Sequence, residues 1–267
     1  MPTFRPFKEV EAERPDFDPS LEWHYTKTPN PEWKVGGGAS TPAPKGKKMV
    51  QLDPNDRKRD PIDNYSLMIS GYGPRPVAFA STISKDGKSN LSPFSYTTFV
   101  NHDPPTMIIG FSPKIKDTFR NIIETGEVVI NMISEDFVEA ANMSCIDAPP
   151  EVSEWALTGL TKTDSAVVKP PRVGESLFAV ECKLMDYKLL NNTEGQQTGG
   201  YAVLEGVMFH IREDAMDAEM TTCDQKVLKN VVRMGGITFG RVTSGYELPR
   251  PFYSALTAEE KEMVVEK

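Results

Sequence analysis

A chain of 267 residues with 39% hydrophobic and 25% charged side chains has an ordinary globular balance and is longer than one small barrel requires. Its net charge of −8 argues against a nucleic-acid or anionic-membrane partner, although a local basic patch can still hold one phosphate. No apolar run reaches the ~20 residues of a membrane helix, and the opening MPTFRPFKEVEAERPD lacks a signal peptide's apolar core, so a cytoplasmic protein is expected.

Nine prolines and the run Gly36-Gly37-Gly38 precede Pro61, so residues 1–60 contain no barrel strand. The same segment holds Phe4, Phe7, Phe17, Trp23, Tyr25 and Trp33, too many aromatics for a free tail. It reads as an irregular extension docked on the core domain or on a partner subunit. Asp53 to Asp60 reads as a solvated linker, and Asn64 to Ile69 as a turn of helix expected to plug one end of a barrel. The core domain then spans residues 61–243, followed by a tail over 244–267. Gly71-Tyr72-Gly73-Pro74-Arg75-Pro76 imitates a dinucleotide fingerprint, but it ends in proline and no strand-turn-helix surrounds it.

The stretch from Arg75 to Ile133 organises the chain. Alternation over Val77 to Ser84 puts Val77, Phe79 and Ile83 on one face and the smaller Ala78, Ala80 and Thr82 on the other. A planar ring is expected to approach the small face. Asp86-Gly87 signals a tight hairpin, so the next stretch pairs back antiparallel. That stretch carries the hydroxyls of Ser92, Ser95, Tyr96, Thr97 and Thr98 around Pro93, which cannot donate to a ladder and marks a bulge or an edge. Free amides there suit a ligand rich in acceptors; they equally suit a Ser/Thr-rich edge strand facing water.

After the apolar strand Met107 to Phe111, Ser112-Pro113-Lys114-Ile115-Lys116-Asp117-Thr118 leads into a helix whose stripe is Phe119, Ile122 and Ile123, ending at Gly126. A helix start with lysines and a threonine suits a phosphate, with Asp117 as N-cap; an ordinary capped surface helix has the same residues. Ser134-Glu135-Asp136 opens another helix with Phe137, Ala141 and Cys145 as its stripe. Asp147 to Thr161 is a long loop, either a rim of a substrate opening or a plain connection with Trp155 buried. Leu177 to Leu190 is a long strand whose alternation slips near Met185, a bulge signal, and it should pair with Tyr201 to Arg212. Asp224 to Arg233 reads as a last helix stopped by Gly235-Gly236, and Thr257 to Glu260 as a capping box. Cys145, Cys182 and Cys223 have no CxxC and no nearby His pair, so reduced thiols are expected and neither a disulfide nor a metal site. No Ser/His/Asp or paired-carboxylate pattern accompanies His24, His102 or His210.

RPVAFAST, NLSPFSYTTFVNHDPP, KDTFRNIIETGEVVINMISE, EWALTGL and PRVGESLFAVECKL, in that order, resemble the flavin reductase-like family of FMN-binding split barrels, over roughly residues 62 to 240. The resemblance implies a mainly β fold with peripheral helices, an antiparallel split β-barrel, and a homodimer with FMN in a groove between subunits. It implies a flavin ring against Ser81, Thr82, Ile83 and Ser84 and against Ser92, Pro93, Phe94 and Ser95, with the phosphate at Lys116 and Thr118. It favours His210 as a polar group near a transient NADH or NADPH, and it places Phe239 where an aromatic hydroxyl is frequent. The expected activity is hydride transfer from nicotinamide to flavin N5. Two alternatives stay open: flavin storage or redox sensing without turnover, and an FMN-dependent reductase or oxygenase of a small organic substrate.

Overall fold

The computed structural model describes residues 5–41, 46–56, 58–113, 116–149 and 151–265; Phe4, Lys114 and Ile115 lie outside them. Contacts divide the chain into two units, Ala43–Val242 and the two termini together, Met1–Pro42 with Thr243–Lys267. In chain order, helix α1 (Phe7–Ala12) and strand β1 (His24–Tyr25) precede helix α2 (Pro61–Gly71). Strands β2 (Ala78–Ile83), β3 (Ser89–Phe94), β4 (Thr97–His102) and β5 (Pro105–Phe111) lead to helix α3 (Asp117–Thr125) and strand β6 (Glu127–Met132). Short helices α4 (Val138–Met143) and α5 (Glu154–Thr158) and the strand pair β7 (Lys162–Thr163) and β8 (Arg172–Val173) come before the long β9 (Phe178–Asn191) and β10 (Gln197–Ile211). Helix α6 (Gln225–Leu228), strands β11 (Val231–Arg233), β12 (Phe239–Arg241) and β13 (Ser244–Gly245), and helix α7 (Ala258–Met263) complete the chain.

Seven strands form one sheet in the order β3-β2-β6-β9-β10-β5-β4, and each neighbouring pair is antiparallel. The fold is therefore mainly β with few helices. The two edge strands, β3 and β4, are consecutive in sequence and joined by Ser95 and Tyr96 alone. Two residues span so little that the sheet must curl until its edges stand side by side. Among the described residues no ladder bonds β3 to β4, which leaves the curl open along that seam. The Gly110 amide reaches across to the Tyr96 carbonyl at 2.7 Å, and a Cβ on Gly110 would crowd the Tyr96 side chain.

Inside the curl, Ala78 and Ala80 from β2 join Ile109 and Phe111 from β5, Ile130 from β6, Val180 from β9 and Leu204 from β10 in one core. Helix α3 closes it with Phe119 and Ile122, and the Phe119 ring stacks on Phe111 at 4.5 Å between centroids. The closing position expected for Asn64 to Ile69 is thus held by α3; only Ile69 of α2 is buried. The other face of β2 carries Val77 and Phe79 into a second core with Phe137, Ala141 and Trp155. The predicted alternation holds, but its ligand consequence does not. Ala78 and Ala80 are 1% and 0% exposed, and the rings of Phe111 and Phe119 fill the side where a flat ligand was expected.

The long hairpin matches its sequence signals. Between the pairs Val203↔Asp186 and Leu204↔Leu184 the register slips past Met185. The segment Asp224 to Arg233 differs from expectation, because Lys229 turns left-handed at φ 46° and stops the helix after Leu228. The β-branched Val231 and Val232 then pair with Arg241 and Gly240, and Gly236 at φ 60° serves their hairpin turn. Cys145 is exposed, so it does not belong to the apolar stripe of α4, and all three cysteines are free.

Candidate functional site

The end of β2, the start of β3 and the start of α3 are knitted together by four polar side chains. Asn121 donates from Nδ2 to Thr82 Oγ1 at 3.0 Å, and Asn90 donates from Nδ2 to Thr118 Oγ1 at 2.8 Å. Thr82 and Thr118 are almost fully buried, so these hydroxyls fix the hairpin against the helix. The register Thr82↔Asn90 places the two strands for this contact.

Lys116, not Asp117, is the N-cap of α3, and it supplies no side-chain acceptor. Asp117 turns outward instead and pairs with Arg120 one turn on, at 2.7 Å. The first-turn amides of a nine-residue helix are left without the side-chain cap that a helix start ordinarily has. Beside them a cleft of about 390 Å³ is lined by the cations Lys85, Lys88 and Arg120, the acids Asp86, Asp117, Glu124 and Glu154, and Ser84, Asn90 and Asn121, among others. The helix dipole and the first-turn amides favour an anion there, whereas the three cations of the cleft are matched by four carboxylates, so the attraction rests on the amides and not on net charge.

Among the described residues strand β3 bonds only β2, so its outer edge is open along Ser92, Pro93 and Phe94. Phe94 turns inward and meets Phe111 edge-on at 4.8 Å. Ser95 lines a second cleft of about 760 Å³ with Met68, Arg75, Tyr96, Thr98 and Ile108. The Arg75 guanidinium is buried beside it, donating to the carbonyls of Ile69 at 2.6 Å, Tyr72 at 2.9 Å and Met234 at 3.0 Å. Burial pushes the Tyr96 phenol pKa upward; Tyr65 adds to the rise and Arg75 opposes it.

The sequence-derived residues thus fall into three groups. Thr82 and Thr118 are tied at the start of α3 through Asn121 and Asn90, Lys116 is the N-cap of that helix and Ser84 lines the adjoining cleft; Ser92 to Ser95 run along the open edge toward the larger cleft. Ser81 is fully buried on the Phe79 face of β2, its Oγ without a hydrogen-bond partner, and Ile83 is half-buried on the rim of a cleft of about 330 Å³ with Ser84 and Lys85. His210 stands apart, on β10, three strands beyond β2 in the sheet order. Its Nε2 is held by Glu181 Oε1 at 2.5 Å, and Glu181 also accepts from the amides of Ala166, Val167 and Val168. Sequence reasoning missed Asn90 and Asn121. Asn121 sits three residues after Thr118, on the same helix face, a spacing that could have found it.

An antiparallel curled sheet with an open hydroxyl-bearing edge, ending beside an uncapped helix start and lysines, has the features of a flavin-binding protein. The match to a family model described as flavin reductase like domain, over residues 70–228, places it: the chain belongs to the flavin reductase-like family. It is 34% identical over 209 residues to an uncharacterised protein of Halalkalibacterium halodurans, across 77% of this chain and 98% of that one. Among solved structures it is similar to nitrilotriacetate monooxygenase component B from Bacillus cereus, with 32% identity, a TM-score of 0.72, and coverage of 76% of this chain and 100% of that one. It is also similar to 2-nitrobenzoate 2-nitroreductase NbaA from Pseudomonas fluorescens, with 27% identity, a TM-score of 0.67, and coverage of 78% and 100%. No helix among the described residues is long and apolar enough to cross a membrane.

Proposed function

We propose that the protein is a cytoplasmic, homodimeric FMN-dependent oxidoreductase of the split-barrel type, in which NADH or NADPH reduces the bound flavin. The observation that carries this reading is the start of α3, whose first amides have no side-chain cap in a chain of the flavin reductase-like family. Lys116, Thr118 and those amides would hold the phosphate. Ser84 and the open edge Ser92 to Ser95 would hold the ribityl chain and the ring. Ser81 and Ile83 lie on the Phe79 face of that strand, while Thr82, on the opposite face, is positioned by Asn121. The flavin supplies the hydride chemistry, while the chain binds and orients it and offers donors where negative charge develops. The dimer reading is supported by edge strand β4, which leaves Phe99 and Val100 exposed.

A second reading, reduction of a small organic substrate on the same flavin, is favoured by the cleft of about 760 Å³ beside Ser95 and by the likeness to NbaA. Anaerobic mixing of the FMN-loaded protein with NADH or NADPH tests the core of the proposal. Flavin absorbance should bleach faster than for free FMN. If neither nucleotide bleaches it, a flavin-binding protein without reductase turnover takes its place.

A further inference from the structure

The cleft beside Ser95 differs from the one at the start of α3 in its charge. Arg75 is the only charged residue among the described residues that line it, whereas three cations meet four carboxylates in the cleft at α3. Arg75 is 7% exposed, and its guanidinium donates to the carbonyls of Ile69, Tyr72 and Met234. These bonds use three of the five donors of the fork, and the buried Nε has no partner. Among the described residues no carboxylate pairs with Arg75, although the chain as a whole has a net charge of −8. Burying a cation without a counter-ion is costly. Ile69 lies in the last turn of α2 and Tyr72 is its C-cap, so the negative end of that helix offsets about half a charge. The field of the remainder reaches the cleft: burial and Tyr65 raise the Tyr96 phenol pKa, and Arg75 opposes them.

We infer that this cleft binds a small organic anion, an apolar or aromatic body carrying one carboxylate, and that Arg75 sets the sign of charge it accepts. The inference rests on the reading in which the flavin serves a small organic substrate, and it deepens that reading by naming the class of substrate. At about 760 Å³ the cleft has the size of a small-molecule site, and Met68, Pro74 and Ile108 give it apolar wall for the body of the ligand. Ser95, Tyr96, Thr97 and Thr98 bring hydroxyls to the same cleft, and a carboxylate accepts from such donors. Arg75 is a specificity-determining residue that acts mainly through its field, because a cation held beneath low-dielectric walls projects into the cleft with little screening. An anion is drawn in, a neutral analogue gains nothing from the charge, and a cation is repelled.

The test titrates para-fluorobenzoate, the neutral para-fluorobenzamide and the cationic para-fluorobenzylamine into the full chain, read by fluorine NMR. The anion should bind about 10-fold tighter than the amide, the step that one partly screened charge supplies, and the amine should bind weakest. Thr98→Trp fills the cleft from an exposed position and should abolish binding of the anion. Arg75→Gln should remove the preference for the anion and Arg75→Lys should keep it; if neither variant folds, the three probes on the parent and on Thr98→Trp decide alone. Equal affinity for anion and amide overturns the charge assignment while leaving an organic substrate in the cleft. A preference for the anion that survives Thr98→Trp overturns the location. Competitive displacement of the anion by FMN overturns the inference by making the cleft the flavin's own. Binding of none of the three probes overturns both the inference and the organic-substrate reading on which it rests.

Discussion

The loop Ala166 to Val168 and the start of α3 present the same chemistry, a run of consecutive backbone amides, and differ in what answers it. The loop is answered from within: Glu181 on β9 accepts from Ala166 at 2.6 Å, Val167 at 2.6 Å and Val168 at 2.9 Å, and His210 donates to it as well. Glu181 is wholly buried. Burial alone would raise its carboxyl pKa, but the amides and His210 together hold it below the usual range. Among the described residues the start of α3 has no such answer, because Asp117 bonds Arg120 and the N-cap Lys116 offers no acceptor. Where a chain fills an amide cluster with its own carboxylate the cluster is architecture; where it leaves the amides open, an outside anion fits.

The sharpest way to break this contrast is to empty the filled site. Glu181→Ala leaves three amides and an imidazole without their acceptor, which should cost about 3–5 kcal/mol of stability. Urea unfolding measures it, and a loss below ~1 kcal/mol would show that water replaces the carboxylate. The pH dependence follows from the lowered carboxyl. Its contribution is fully present above the unfolded pKa, about 4.3, and is lost as pH falls through the folded value. Glu181→Gln should therefore flatten the acid limb of the stability curve relative to the parent.

The open site is broken by the double change Lys116→Ala, Thr118→Ala. Each charge-assisted hydrogen bond lost should weaken FMN binding by about 1.5–3 kcal/mol, with riboflavin binding unchanged. Titration of both ligands separates the cases: an equal fall for riboflavin would make these residues structural, a role the Asn90 contact to Thr118 could also support.

Much of this was legible from local chemistry. The Val77 to Ser84 alternation, the Asp86-Gly87 turn, the Gly126 stop and the slip at Met185 each follow from residues that are neighbours in sequence. What was not legible depends on distant chain. The small face of β2 looked available for a ring only because Phe111 and Phe119, which fill it, arrive some thirty residues later. Asp117 has the composition of a cap, but Arg120 competes for the carboxylate. At the candidate site the sequence pointed to Thr82, Ser84, Lys116 and Thr118, but not to Asn90 and Asn121, which hold two of those hydroxyls, since an asparagine in a strand or a helix carries no signal until its partner is known.

Ala80 turns that correction into a measurement. Ala80→Leu should overpack the core and cost about 2–3 kcal/mol, while FMN affinity of the folded protein stays as in the parent. Loss of FMN at unchanged stability would restore the small face as a ring platform.

The smallest effect distinguishes two roles for His210. Its imidazole is partly exposed and lies against Glu181, which keeps three amide donors when the ring is removed. His210→Ala should then cost about 1.5 kcal/mol of stability, the low end for a hydrogen bond to a charged group. Its turnover with NADH or NADPH should match the parent. A group that moves a proton in the reaction would instead cost about 10²–10⁴-fold in rate, a loss that reduced stability cannot imitate while the enzyme remains folded. Measuring turnover and urea unfolding on the same preparation therefore decides the matter: a rate loss with stability intact makes His210 part of the chemistry, and a stability loss with the rate intact makes it the fourth donor of the Glu181 cradle.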